Sequence, residues 1–326
     1  QSRSSAASDV YKRQILNNDG KGNYTNVSND IAPDLKEIGM ITDAKWADID
    51  NDKDLDLIVV GEWMPIAFFI NDQGRYNRID LMPQSNGWWN VLEIEDLNGD
   101  GRLDLILGNH GLNSRFKASE ERPLHMLVKD FDRNGTIEQI ICQYEGDKLF
   151  PLSLRHDLSM QIPGIKKKYL KYDSYKDQEI TDIFGPKGLN GALDLTASHL
   201  ASTIFLNRGL MEFEKMDLPD EVQYSCVYTV EVADFNFDGY SDILFGGNLY
   251  DVKPEMGQYD ASYGTLLIGD GAGQFVIKGQ AASGIILDGS VRNLSFIDTQ
   301  KGKMLLVANN NAQIQAYQPQ VQIKKD

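Results

Sequence analysis

An all-β fold assembled from repeated antiparallel units is what this 326-residue sequence predicts, and three observations carry the prediction. A nine-residue acidic segment recurs four times, each copy running directly into a short apolar stretch. A second element also recurs four times: an apolar pair, an Asn/Asp/Gly-type cluster and then an aromatic residue, the composition of a β-hairpin. Together they make a unit of roughly 45–50 residues, the period range of propeller blades. The expected architecture is therefore a β-propeller of six or seven blades, seven preferred, with cation-binding loops and one short helical insertion.

The acidic segments run from Asp48 to Asp56, Asp96 to Asp104, Asp130 to Glu138 and Asp234 to Asp242. Their odd positions hold Asp48, Asp50, Asp52, Asp54 and Asp56; Asp96, Asn98, Asp100, Arg102 and Asp104; Asp130, Asp132, Asn134, Thr136 and Glu138; and Asp234, Asn236, Asp238, Tyr240 and Asp242. Carboxylates at alternate positions of a tight turn repel one another unless a hard divalent cation with oxygen ligands neutralises them. Positions one, three and five supply side-chain oxygens, position seven a backbone carbonyl, and position nine a carboxylate able to bind through both oxygens. Such a set favours Ca²⁺ over Mg²⁺, which resists dehydration, and no Cys/His cluster suggests zinc. Up to four structural Ca²⁺ sites are expected. The competing reading is a solvated acidic turn, and the third loop, with Asn134 and Glu138, departs furthest from the pattern.

An EF-hand would need a bidentate Glu at position twelve and flanking helices. Position twelve is Val59, Leu107, Ile141 or Phe245 here, and the flanks alternate as strands do, so these are β-loop-β sites. Position six turns the chain sharply, hence Gly101, Gly135 and Gly239. Lys53 stands there in the first loop and must take a left-handed conformation or use a different turn. Asp54 is expected to face outward, with its carbonyl toward the metal.

In chain order, residues 1–14 are compositionally foreign to the rest and are read as a non-native scar. Residues 15–320 are read as one propeller domain and 321–326 as a tail. The hairpin element appears at 15–24, 69–76, 205–213 and 267–275, the first within a partial blade at Ile15–Val27. The gap from 48 to 96 is one unit. The short gap to 130 places the third loop in an outer hairpin of the second blade, and the gap to 234 holds a unit without a loop at Ala192–Phe213. A degenerate unit closes the series at Val291–Tyr317. The pattern breaks at about 161–187, where helical spacing and the stop signal Gly185-Pro186 indicate a helical excursion. Lys166, Lys167 and Lys168 within it are read as a solvated face, with a partner-binding patch as the sharper alternative.

The two elements together resemble the FG-GAP/VCBS repeat family, whose propeller repeats also occur in integrin α-subunit heads. The overall run is similar to the C-terminal region of bacterial VCBS-repeat proteins of the cartilage-acidic-protein-like group, including the segments Gly108–Ser114, Gly247–Tyr250 and Tyr259–Gly264. The resemblance implies a β-propeller, calcium in the blade loops and a secreted or cell-surface location.

A net charge of −16 disfavours nucleic acid and anionic membranes as partners, and no run of 18 apolar residues spans a membrane. Cys142 and Cys226 lie in apolar strand-like runs and are read as buried small hydrophobes, with a disulfide as the alternative. His110, His125, His156 and His199 are scattered and form no catalytic motif. The expected function is a non-catalytic protein- or glycan-binding module, its upstream domains contributed by the same longer chain. Trp88-Trp89 and Tyr259/Tyr263 are candidate sugar-stacking surfaces, packing between blades being the competing role for at least one of the tryptophans. The alternatives are a polysaccharide-active lyase or hydrolase, for which His110 and Arg115 are the first residues to suspect, and a purely structural scaffold.

Overall fold

The computed structural model describes residues 13–253, 256–300 and 302–318. The proposed scar lies outside them apart from its last two residues, and the tail at 321–326 lies wholly outside. The chain is mostly β, in several antiparallel sheets. The alternating segments before the acidic loops form strands Met40–Ala47, Val91–Glu95, Leu124–Lys129 and Val227–Ala233. The apolar runs after them form Asp56–Met64, Asp104–Gly108, Glu138–Glu145 and Asp242–Gly247. Each loop thus joins two antiparallel neighbours.

The first sheet continues through Ala67–Asp72 and Arg75–Ile79, with Gly87–Trp88 beside Asp56–Met64. The fourth continues through Thr265–Gly269 and Phe275–Lys278. The fifth, Val291–Thr299 with Gly302–Asn309 and Gln315–Tyr317, is the expected unit without an acidic loop. Leu16–Asn18 and Tyr24–Asn26 form the expected first hairpin.

The second and third sheets correct the sequence reading. The third loop does not sit in an outer hairpin of the second unit. It joins two strands of a separate sheet ordered Lys148–Pro151, Glu138–Glu145, Leu124–Lys129, Leu193–Ala197. Residues 192–213 are not a unit of their own either, because Leu193–Ala197 closes this third sheet. Thr203–Asn207 instead pairs with Asp104–Gly108, and Phe213–Asp217 completes the second sheet. Cross-strand chemistry decides the pairing: Phe205 lies opposite Leu105 as Phe69 lies opposite Leu57 and Leu267 opposite Ile243. Among the described residues there are thus five sheets of three or more strands and one two-stranded hairpin.

The helical excursion is also more than a rim feature. It comprises Arg155–Gln161, Gly164–Lys168 and Ile180–Leu189, the last interrupted at Gly185 (φ 67°) and resuming through Pro186. A reciprocal pair of bonds between Glu179 and Asp182 caps this last helix. Leu158, Ile162, Ile165 and Ile183 pack on Leu127, Ile140 and Cys142, so the helices cover one face of the third sheet. Lys166 and Lys167 are exposed, whereas the Lys168 ammonium donates to the Asp182 and Ile183 carbonyls.

Period-two alternation explains how the other sheets stack. In Leu57-Ile58-Val59-Val60, Leu57 and Val59 face Ala32 and Leu35, while Ile58 and Val60 face Leu92, Leu105 and Leu107 of the second sheet. Ile106 points the other way, into a core with Val230, Ile243 and Phe245 of the fourth sheet. Leu244 in turn meets Leu294, Leu305 and Val307 of the fifth. The leading strands Met40–Ala47, Val91–Glu95, Val227–Ala233 and Val291–Thr299 therefore lie side by side in the order first, second, fourth, fifth sheet. Polar pins join them: Leu92 N–H donates to Asp43 Oδ2 (2.9 Å), Leu294 N–H to Thr229 Oγ1 (3.1 Å), and Lys45 Nζ lies 2.6 Å from Glu93 Oε1.

Candidate metal centres

The four acidic loops share one geometry. The position-one carboxylate accepts backbone N–H groups from positions five and six: Asp52 and Lys53 onto Asp48, Asp100 and Gly101 onto Asp96, Asn134 and Gly135 onto Asp130, Asp238 and Gly239 onto Asp234 (2.8–3.2 Å), and Asp96 also accepts from Gly99 (2.8 Å). Position three accepts from position five, and the side chain at position five accepts from the N–H of Asp54, Arg102, Thr136 or Tyr240 at position seven. The chain coils around its own acidic side chains, and their oxygens are gathered on one small volume.

Two left-handed residues make that coil. Position six was anticipated: Lys53 (φ 80°) takes the same conformation as Gly101, Gly135 and Gly239 rather than a different turn. Position four was missed: Asn51, Gly99, Arg133 and Phe237 are also left-handed (φ 60–71°). Gly99 and Asn51 are types that favour this conformation, whereas Arg133 and Phe237 give no such signal.

Position nine ties the loop down. One oxygen of Asp56, Asp104, Glu138 or Asp242 accepts the position-two N–H, from Ile49, Leu97, Phe131 or Phe235. The other oxygen of Asp56, Asp104 and Asp242 accepts an N–H from the next strand of the sheet: Asn71 (2.8 Å), Asn207 (2.8 Å) and Gly269 (2.9 Å). All four position-nine residues are buried. Burial first, then the neighbouring loop carboxylates, pushes Asp56, Asp104 and Asp242 above the usual carboxylate range, while these backbone donors pull them back.

Asp48, Asp50 and Asp56 bring ligand atoms within 4.8 Å of one another, and so do Asp130, Asp132 and Glu138. The third loop, furthest from the pattern in sequence, thus gathers its acids as closely as the first. In the second loop Arg102 donates from Nη2 to Asp100 and from Nε to the Asn207 carbonyl (2.9 Å), so its side chain joins the loop to the hairpin. In the fourth, Asn236 Nδ2 donates to Asp238 Oδ2 (2.7 Å). Asp54 differs from expectation: rather than facing outward, it has one carboxylate oxygen buried with no hydrogen-bond partner. Burial and the charges of Asp52, Asp50 and Asp48 push its carboxyl up. A buried, unpartnered oxygen beside clustered carboxylates is the environment a hard cation satisfies, so the residues present fit Ca²⁺.

The remaining candidates lie at the opposite ends of the strands. Trp89 is fully buried, donates Nε1–H to the Ser85 carbonyl (2.8 Å) and packs between the first and second sheets. Tyr263 is exposed. Trp88, His110 and Tyr259 instead come together, the His110 ring lying 5.0 Å from that of Trp88 and 4.9 Å from that of Tyr259. Arg115 is exposed nearby and reaches Met256 Sδ (3.7 Å). Cys142 and Cys226 are both buried and free, and Cys226 Sγ lies 3.4 Å from His110 Nδ1. Among the described residues no helix is long and apolar enough to cross a membrane.

No curated protein matches the sequence. A solved structure of an Agrocybe aegerita lectin, described as recognising non-reducing terminal N-acetylglucosamine, is similar over 86% of this chain and 80% of that one, at 13% identity and a TM-score of 0.20. A likeness of that degree carries no argument about fold or ligand. The family model of the FG-GAP-like repeat matches residues 48–107, from the first acidic loop to the strand after the second. Residues 48–107 thus carry an FG-GAP-like repeat, and the same loop geometry recurs at 130–138 and 234–242.

Proposed function

We propose that this chain is a non-catalytic, calcium-stapled β-propeller, spanning residues 15–320, that serves outside the cell or at its surface as a binding module for a protein or glycan. The observation that carries the reading is the shared loop geometry, in which the position-nine carboxylate joins a clustered acidic turn to a neighbouring strand. A cation there would be held by Asp48, Asp50, Asp52 and Asp56 and their counterparts, and would cancel repulsion the loop otherwise stores. Its role is mechanical. Bound Ca²⁺ fixes the loop ends of the sheets, and the rigid stack then presents the connections at the opposite ends of the strands.

Affinities of roughly 10⁻⁴–10⁻³ M suit extracellular modules, whose surroundings are calcium-rich. A chelator is expected to lower the thermal midpoint, and Ca²⁺ to restore it at lower concentration than Mg²⁺. An unchanged midpoint in chelator would remove the calcium assignment. Location is checked by protease accessibility of the full-length protein on intact cells. A glycan array run beside a reducing-end release assay separates binding from turnover, and release of new ends would favour a polysaccharide-active enzyme instead.

A further inference from the structure

Opposite the acidic loops, one cluster of side chains leaves its polar groups unused. Trp88, His110 and Tyr259 are each nine-tenths or more buried (9%, 9% and 7% exposed), yet Trp88 Nε1, His110 Nε2 and the Tyr259 hydroxyl have no hydrogen-bond partner. A buried polar group left unmatched destabilises the fold that holds it. Here three belong to rings in mutual contact, with Phe116 packed on both Trp88 (4.7 Å) and His110 (5.4 Å).

Two further features converge on the cluster. Trp63 packs edge-on against Trp88 at 5.0 Å and holds a left-handed φ of 58°, a strained conformation for a bulky residue. It occupies the register shift between Glu62 and Met64 where that strand pairs with Gly87–Trp88. Bulges of this kind re-aim side chains and are over-represented beside functional sites. Glu62, paired through its backbone with Trp88, is half-buried, and its carboxylate has no ion pair or hydrogen bond among the described residues.

We propose that this face holds a binding site for the hydroxyl-rich, uncharged end of a glycan, with Glu62 accepting hydroxyl protons, Trp88 Nε1, Tyr259 and His110 Nε2 completing the hydrogen bonds, and the Trp63 and Trp88 rings meeting the C–H face of the sugar. The inference rests on the glycan half of the proposed function and names its site. The donor set selects the chemistry. A cation would leave the Trp88 N–H unmatched, and an anion would meet Glu62, whereas a pyranose both donates and accepts and has an apolar face. Met256 packs beside the cluster, and its unbranched thioether is the part that would yield to admit the ligand.

The test is titration of the full chain, in saturating Ca²⁺, with methyl glycosides of glucose, galactose, mannose, fucose and the N-acetylhexosamines. Tryptophan fluorescence and saturation-transfer NMR are the readouts. At least one glycoside is expected to bind and to perturb tryptophan emission, and Glu62→Gln and Trp88→Phe are each expected to weaken it at least tenfold. The thermal midpoint of Glu62→Gln should stay at the wild-type value, which keeps the test valid if Trp88→Phe is poorly folded. If a glycan binds and Glu62→Gln binds it equally well, this site falls and the binding-module reading stands. If neither the glycosides nor a glycan array gives binding, the glycan reading falls with it, while the chelator response still judges the calcium assignment separately.

Discussion

The backbone N–H of Asn207 donates to Asp104 Oδ1 at 2.8 Å across 103 residues of sequence, the same bond that Asn71 makes to Asp56 across 15. This carboxylate therefore holds together two parts of the second sheet that the third sheet and its helices separate. Asp104→Ala leaves the Leu97 and Asn207 N–H groups buried without acceptors and is expected to cost about 2–5 kcal/mol. Glu138→Ala removes one such backbone bond, from Phe131 N–H, rather than two and is expected to cost about half as much. Urea unfolding of both variants in excess chelator, where no cation contributes, checks the difference. Equal losses would mean the Asn207 bond does not hold the sheet.

Lys53 adopts φ 80° where its three counterparts are glycine. A left-handed L-residue costs roughly 1–2 kcal/mol, and glycine gives back part of that gain through the greater freedom of its unfolded chain. Lys53→Gly and Lys53→Ala remove the same charge, but only the first removes the strain. Lys53→Gly is expected to be the more stable by about 1 kcal/mol, read from denaturation midpoints at fixed Ca²⁺. An alanine variant as stable as the glycine one would show that this position stores no strain.

Burial pushes the His110 imidazole down to about 4 from an ordinary value of 6.5. Below 6.5 the unfolded chain takes up the proton and the folded chain does not, so this stabilisation is complete above that value and is lost as pH falls toward 4. Between pH 7 and pH 5 the loss is about 2 kcal/mol. His110→Phe keeps a ring against Trp88 and Phe116, and its stability should fall less over that interval than the wild type's. Equal falls would show that His110 is not the group that titrates.

Both thiols are buried and free, and burial pushes each up to about 12. An aromatic disulfide reagent at pH 8 is therefore expected to react with neither cysteine in the folded protein and with two after unfolding in guanidinium. Rapid reaction of one thiol in the native state would contradict the packing around it.

The acidic loops were legible because their chemistry is local: ligand-type residues, the position-six turn and the strand that follows all fall within about twelve residues. The partner of position nine was not. Asn71, Asn207 and Gly269 were visible as parts of hairpins, but nothing in their types declares that their N–H groups serve a carboxylate. The second sheet is hidden for the related reason that spacing along the chain does not fix which strands pair. The stronger signal was the likeness of Phe205-Leu206-Asn207 to Phe69-Ile70-Asn71, each ending a run opposite the strand after an acidic loop. Trp88, His110 and Tyr259 were singled out one by one; that they meet depends on three sheets converging, which no window of sequence contains.

The split second sheet also has a consequence for the order of assembly. Closing a loop of 103 residues rather than 15 costs roughly 2 kcal/mol more in chain entropy, and contacts so distant form slowly. Leu124 and Ala197 lie directly opposite one another in the third sheet, so folding that sheet first would bring the two halves of the second within reach. Pulse-labelled hydrogen exchange during refolding should then protect amides of Leu124–Lys129 before those of Thr203–Asn207; the reverse order would exclude the scheme. The inserted sheet is in this sense a splint, and a mutation that weakens its core at Ile140 or Leu158 should slow completion of a sheet to which neither residue belongs.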